Sequence, residues 1–291
     1  MNPNHMYFNR PQMKQVAKQR IRMDGVPSIR MVTFVFLCLT TLLDSLLYLF
    51  YGGTSSSITT EGYEAMLEGN TDALYSIMAS FFGSTAGMVT IFFSIFMTLY
   101  CLVVSIGYYR YTMKIARNQP DAGYHDLSYG LEFITKIILL TVLQYVFIFL
   151  WSMLFVIPGI IAAYRYRMAY FALIDDPDIS VFEALNRSKA MMQGYKWELF
   201  LFDLSFYGWI ILASVLSTLG SDVGYFLGFF SGSELIANVI AVLLSFAMYL
   251  IVGLWLTAYE QISEIYFYDF VRSEAIRAGR MPGSDYGGYG M

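Results

Sequence analysis

The sequence predicts an all-α, polytopic transmembrane helix bundle of about six spans, with both termini in the cytoplasm. It also predicts a short amphipathic helix at the cytoplasmic interface between spans four and five. Three observations carry this reading. Of 291 residues, 57% are hydrophobic and only 14% are charged, whereas a soluble domain carries about 25% charged residues to wet its surface. The apolar residues are bunched into runs long enough to cross a hydrocarbon core. The 18 Lys and Arg residues are confined to five places, 10–30, 110–136, 165–167, 187–196 and 272–280. The 24 tyrosines fit the same class, because a tyrosine ring and hydroxyl prefer opposite sides of a membrane–water boundary.

A span needs about 20 helical residues. Five runs meet that length, at 30–51, 87–109, 134–157, 197–219 and 235–259. A sixth candidate, 158–175, is shorter and contains Arg165 and Arg167. Charge placement decides its status. The segment from Gly52 to Ala86 has no cation but carries Glu61, Glu64, Glu68 and Asp72, and the loop from Gly220 to Glu234 also has none. Basic short loops stay cytoplasmic, so these two acidic loops lie outside. The chain must then cross back between 157 and 187, and 158–175 is the one segment available, reaching about 27 Å as a helix. Pro158 suits its first turn. The competing reading, a re-entrant segment buried by its neighbours, remains open at this point.

Outside the transmembrane domain of 30–271, residues 1–29 read as a basic, flexible cytoplasmic arm and 272–291 as a disordered cytoplasmic tail rich in Gly, Tyr and Ser. The external loop 52–86 holds a short helix around Glu61–Met78. The first apolar run exceeds a signal-peptide core of about 7–15 residues, so it reads as an uncleaved span. Tyr109–Met113 echoes Tyr164–Met168, and each precedes a Pro-Asp pair (Pro120-Asp121, Pro177-Asp178). Internal repetition and chance recurrence of interfacial residues both account for that echo.

Residues 175–209 hold the most local information. Pro177 stops one helix, and Ser180 with Glu183 has the S-x-x-E form that starts another. Gly194 can end it. This helix, 180–194, places Val181, Leu185 and Met192 on one side and Arg187 and Lys189 toward the other. It is either a connector that orients the neighbouring spans or an interfacial helix. In the second case Arg187, Lys189 and Lys196 contact anionic headgroups of the lipid bilayer.

Ionisable residues inside spans are costly and so are functional candidates. Asp44, Arg165, Arg167 and Asp203 form a candidate polar network. An Asp44 or Asp203 pairing with Arg165 would hold helices together, and the sharper alternative is a proton or ion route. Glu132 and Lys136 are spaced as an i,i+4 pair, and Glu260 with Glu264 reads as an exposed interfacial face. No catalytic motif is found: there is no G-x-S-x-G, H-E-x-x-H or G-x-x-x-x-G-K. Cys38 and Cys101 sit in apolar runs, and His5 and His125 lack neighbouring ligands, so no metal or other cofactor and no nucleic-acid partner is expected.

The run Ile157-Pro158-Gly159-Ile160-Ile161 with Tyr164, Tyr166, Met168 and Tyr170 resembles the uncharacterised bacterial membrane family called DUF975. So do Asp176-Pro177-Asp178, Glu183, Ser188, Gly194-Tyr195-Lys196-Trp197 and Gly208-Trp209, with Ala258-Tyr259 and Phe267-Tyr268 near the end. The resemblance covers about 90–271, while the arm, the 52–86 loop and the tail are particular to this sequence. Arg165 and Arg167 are more basic than the family's usual residues there. The resemblance implies a multi-pass membrane protein of bacteria, commonly Gram-positive ones, and no activity. A non-enzymatic scaffold or accessory component of the cell envelope is therefore the leading expectation. A small transporter or export component using Asp44, Asp203 and Arg165 is the rival, and a membrane enzyme stands third. A membrane protein partner is compatible with the first reading, but the sequence names none.

Single cysteines introduced at Ser56, Ser128, Ser188 and Ser231 test the topology. A membrane-impermeant thiol reagent is expected to label intact cells at 56 and 231 only. Labelling at 188 from outside would rule the six-span arrangement out.

Overall fold

A computed structural model of the chain describes residues 9–22, 29–46 and 61–282. Among the described residues all regular structure is helical. In chain order the elements are α1 (Arg10–Arg22), α2 (Ile29–Leu46), α3 (61–67), α4 (Thr71–Gly83) and α5 (Thr85–Ala116). A 3₁₀ turn, Tyr124–Leu131, leads to α6 (Ile134–Leu154), α7 (Val156–Tyr166) and α8 (Ala169–Asp175). Then come α9 (Val181–Met191), α10 (Lys196–Phe229) and α11 (Glu234–Arg277). Five of these, α2, α5, α6, α10 and α11, are long and apolar enough to cross a membrane. The protein is an all-α, multi-pass membrane protein.

The expected sixth span is not one continuous helix. Arg167 and Met168 divide 158–175 into α7 and α8, each too short to cross alone, and Met168 has a flattened ψ of −2°. The two pieces nevertheless return along the whole of α6. A Cβ on Gly159 would stand 2.9 Å from that of Ser152, so glycine permits the close start of this hairpin. Gln144 Nε2 donates to the Tyr166 carbonyl at 2.8 Å, Thr141 and Tyr170 share their hydroxyls at 2.8 Å, and Lys136 Nζ donates to the Pro177 carbonyl at 2.5 Å. Residues 136–152 rise about 24 Å. Together α7 and α8 therefore run back alongside α6. Lys136 thus caps the carbonyls of Pro177 and Ile179 rather than pairing with Glu132.

The described chain falls into two compact units. The first comprises Met1–Phe36, Val103–Leu212 and Val252–Met291. Here the basic arm departs from the expectation of flexibility, because Arg10–Arg22 form helix α1 with Ala17 and Ile21 buried. Lys14 lies 4.1 Å above the Phe206 ring, Lys18 lies 5.5 Å above Tyr259, and Arg20 donates to the Ile115 carbonyl at 2.7 Å. Burial, with Lys18 and Arg10 nearby, lowers the pKa of Lys14. The α5 helix ends at Asn118, whose φ of +59° fills the left-handed position that glycine usually takes after a helix. The α11 helix has 44 residues, about 66 Å, roughly twice a bilayer core. Its charged last third extends beyond the apolar run, so residues 272–277, expected in a disordered tail, are helical. Ala275 is buried, and Arg280 donates to the carbonyls of Ala190 at 3.0 Å and Gln193 at 2.8 Å. Residues 283–291 lie outside the described residues.

The second unit comprises Leu37–Leu102 and Ala213–Ile251. The helix expected around Glu61–Met78 is two helices. Gly69, at φ +66°, breaks the chain, and the Asn70 side chain caps α4 by accepting from the Ala73 N–H at 3.0 Å. Residues 47–60 lie outside the described residues. The α10 and α11 portions of this unit form a hairpin closed by a turn with Gly232 at φ +69°. Gly220, Gly224 and Gly228 recur every four residues on α10, and a Cβ on the last two would collide with Ala241 and Ala237 of α11. Ser217 and Ser245 join the same contact at 3.1 Å. Small residues let two backbones approach where lipid offers no hydrophobic gain.

Gly224→Ile is therefore expected to destabilise the protein by about 1–3 kcal/mol through overpacking. Gly62→Ala, where a Cβ meets nothing within 4 Å, is the control. Thermal unfolding in detergent measures both.

Candidate functional site

The candidate site lies entirely in the first unit and is built around Arg167, the residue that separates α7 from α8. Its Nη1 lies 2.9 Å from Asp203 of α10 and its Nε 2.6 Å from Glu264 of α11. Both acids are largely covered, at 13% and 10% side-chain exposure against 35% for Arg167. The Tyr164 hydroxyl donates to the same Asp203 carboxylate at 3.1 Å. Beside the clasp opens a cavity of about 380 Å³, lined by Arg167, Glu264, Gln144 and the rings of Tyr109, Tyr164 and Tyr170, among others. One guanidinium faces two carboxylates here, and Glu260 stands one helical turn from Glu264.

Of the four residues expected to form the network, the structure joins Arg167 and Asp203. Arg165 pairs with no acid among the described residues. Its carbonyl accepts from Ser188 at 2.9 Å, and its guanidinium approaches the Tyr166 ring at 6.0 Å. Asp44 lies in the second unit, two residues past a π turn, Cys38–Leu42, in α2. Glu264 overturns the expectation of an exposed acidic face, since it is 7% exposed and paired. The surface around it is covered because α11 is buried on nearly every side between Ala258 and Tyr268.

A second cluster pins the other end of α8. Arg117, just past α5, forms ion pairs with Asp175 and, at 2.5 Å, with Asp269. Burial opposes its charge, but the hydrogen bonds it donates to Asp175 and Asp269 outweigh that and raise its pKa. Arg272 reaches Asp175 at 3.3 Å and the Tyr268 hydroxyl donates to it at 2.9 Å. A third cluster buries Asp126, 1% exposed, 2.8 Å from Lys114, while Arg110 lies 3.4 Å from the Tyr129 ring centre. A hydrogen bond from Lys114 also holds the exposed Asp121 below the usual carboxylate range.

The residues of the recognisable central motif act mainly as joints. Pro158 sits in the first turn of α7, and Gly159 meets Ser152. Ser180 Oγ accepts from the Glu183 N–H at 3.1 Å, so α9 starts as its capping motif requires. Gly194, at φ +93°, ends the turn after it. Asp176 and Glu183 hold Arg187 at 2.9 and 3.1 Å. Burial alone would lower the Arg187 pKa, and these two acids raise it. Pro177 supplies a carbonyl to Lys136, and Ser188 is fully buried against Arg165. Trp197 stacks on Phe200 at 5.1 Å and Trp209 meets Trp255 at 5.6 Å. Lys189 bonds Asn186 at 3.2 Å, and Lys196 is half-buried at the start of α10. Among the described residues no group of His, Cys, Asp and Glu is arranged to hold a metal.

Residues 153–275 match the profile of a family described as a protein of unknown function, DUF975. The match starts at the end of α6, later than the resemblance read from the sequence, and runs to the end of α11. No curated protein and no solved structure matches the chain.

Removing one partner of a buried ion pair costs about 3–5 kcal/mol, less where solvent reaches the pair. Arg167→Gln is accordingly expected to lose about 2–3 kcal/mol, because Asp203 and Glu264 then face each other without a cation. Adding Glu264→Gln should restore part of that loss. Chemical unfolding of the single and double variants reads the difference.

Proposed function

Because the family description that residues 153–275 match carries no activity, we propose from this chain's own chemistry a non-enzymatic scaffold or accessory component of the bacterial cytoplasmic membrane. One observation carries the reading. The buried charges of the first unit are spent on one another, and they tie helices together: Arg167 joins α10 to α11, and Arg117 joins α5 to α8 and α11. A conducting or transporting path needs ionisable groups that change partners as cargo passes. The absence of a catalytic motif in the sequence is in keeping with this role.

The cavity beside Arg167 and Glu264 supports a second reading, a small transporter. Its lining is mostly apolar, and Arg167, Glu264 and Gln144 supply the polar groups that could hold an ion or a small polar solute. None of Asp44, Arg165 and Asp203, expected to share that task, is among the residues that line it.

Reconstitution separates the two. Proteoliposomes containing the full chain and a trapped pH indicator are expected to show no proton or potassium flux above empty vesicles. In-cell photocrosslinking from the exposed face of α9 should capture one partner reproducibly. A flux that disappears in Glu264→Gln would overturn the scaffold reading in favour of transport.

A further inference from the structure

We propose that Arg165 and Lys189 bind the phosphate of one anionic phospholipid, whose acyl chains lie along the Ile157–Ile161 edge of α7. The proposal goes beyond the scaffold reading and stands whether or not the protein also transports.

The case begins with which cations are already neutralised. Between residues 165 and 196 there are five Lys and Arg residues. Arg167 is held by Asp203 and Glu264, and Arg187 by Asp176 and Glu183. That takes Arg187 out of the expected set of lipid contacts. Arg165, Lys189 and Lys196 have no carboxylate partner among the described residues.

Two of those three converge. The Arg165 guanidinium lies 6.0 Å and the Lys189 ammonium 5.7 Å from the centre of one ring, that of Tyr166. They arrive from different helices, α7 and α9, which are fixed together by the Ser188 hydroxyl donating to the Arg165 carbonyl at 2.9 Å. Two like charges held on one ring, with no acid within ion-pair distance among the described residues, leave a positive field that a phosphate diester neutralises.

The apolar side points to a lipid rather than a soluble anion. Ile157, Ile161 and Arg165 are spaced by four and so share one face of α7. Ile157 is 70% exposed and Ile161 48% exposed. An exposed aliphatic stripe that ends in a cation matches the order of a phospholipid, chain first and headgroup last. On α9, Phe182 is 60% exposed, and it lies seven residues before Lys189, two turns away on the same face. That places an apolar anchor beside the basic residue, as in helices that lie in the interface.

The test uses the purified full-length protein in detergent, titrated with phosphatidylglycerol, phosphatidylcholine or inorganic phosphate and read by native mass spectrometry. Phosphatidylglycerol is expected to bind at least about tenfold more tightly than phosphatidylcholine. Arg165→Gln and Lys189→Gln should each weaken it about fivefold, the usual contribution of one cation near an anionic surface. Arg187→Gln should change it by less than about twofold, because that charge is already paired. Arg165→Lys keeps the charge on a similar stem and should retain most of the affinity, which separates loss of charge from loss of folding. Equal binding of the two lipids, or unchanged affinity in both glutamine variants, would overturn the proposal. So would displacement of the lipid by inorganic phosphate at equal concentration, which would assign the pair to a free anion.

Discussion

The first unit depends on one guanidinium. Arg167 stands at the break between α7 and α8, and its two bonds fasten that break to α10 and α11 at once. The two acids are largely covered, and such carboxylates are tolerable because Arg167 pairs with both and Tyr164 donates to Asp203. The same logic repeats one short helix later, where Asp175 at the end of α8 meets Arg117 and Arg272. The seven residues of α8 are thus pinned at both ends by ion pairs to three long helices. Helix propensity cannot hold so short an element, so its partners must.

Aromatic packing takes over where the charges stop. Phe267, Phe202, Phe206, Tyr259, Trp255 and Trp209 form a ladder between α10 and α11, with successive ring centres 4.7 to 6.2 Å apart. The α1 helix lays Lys14 and Lys18 across this ladder. Cation–ring contact lets a basic helix rest on an apolar wall without a matching acid for each charge. The arm's basic character, which reads as a solvated tail, is part of how it packs.

The membrane class and the long helices were legible because they follow from run length and charge placement, both visible residue by residue. The start of α9 was legible because Ser180 and Glu183 act within one turn of chain. The partners of Arg167 were half legible: Asp203 stood out as an acid inside a span, whereas Glu264 is separated from Arg167 by 97 residues. Its placement near the end of the last apolar run made it look exposed, and nothing local announces that α11 is wrapped by other helices there. The break at Met168 was hidden because its residues are good helix formers, and the clasp beside it is a tertiary effect. The glycines at 220, 224 and 228 carried a readable four-residue spacing, which marks a close helix pair rather than a loop.

That glycine contact also bears on the order in which the protein assembles. Ser217 and Ser245 are 28 residues apart in sequence, so the hairpin of the second unit closes a short loop and can lock before the last third of α11 has been made. The Arg167–Glu264 pair must wait until nearly the whole chain has been made. Arg167 and Asp203 are only 36 residues apart, so this pair can form before Glu264 is made and spare the inserting helices an uncompensated charge. The last helix finds a half-built socket, and its arrival turns a local contact into a closed one.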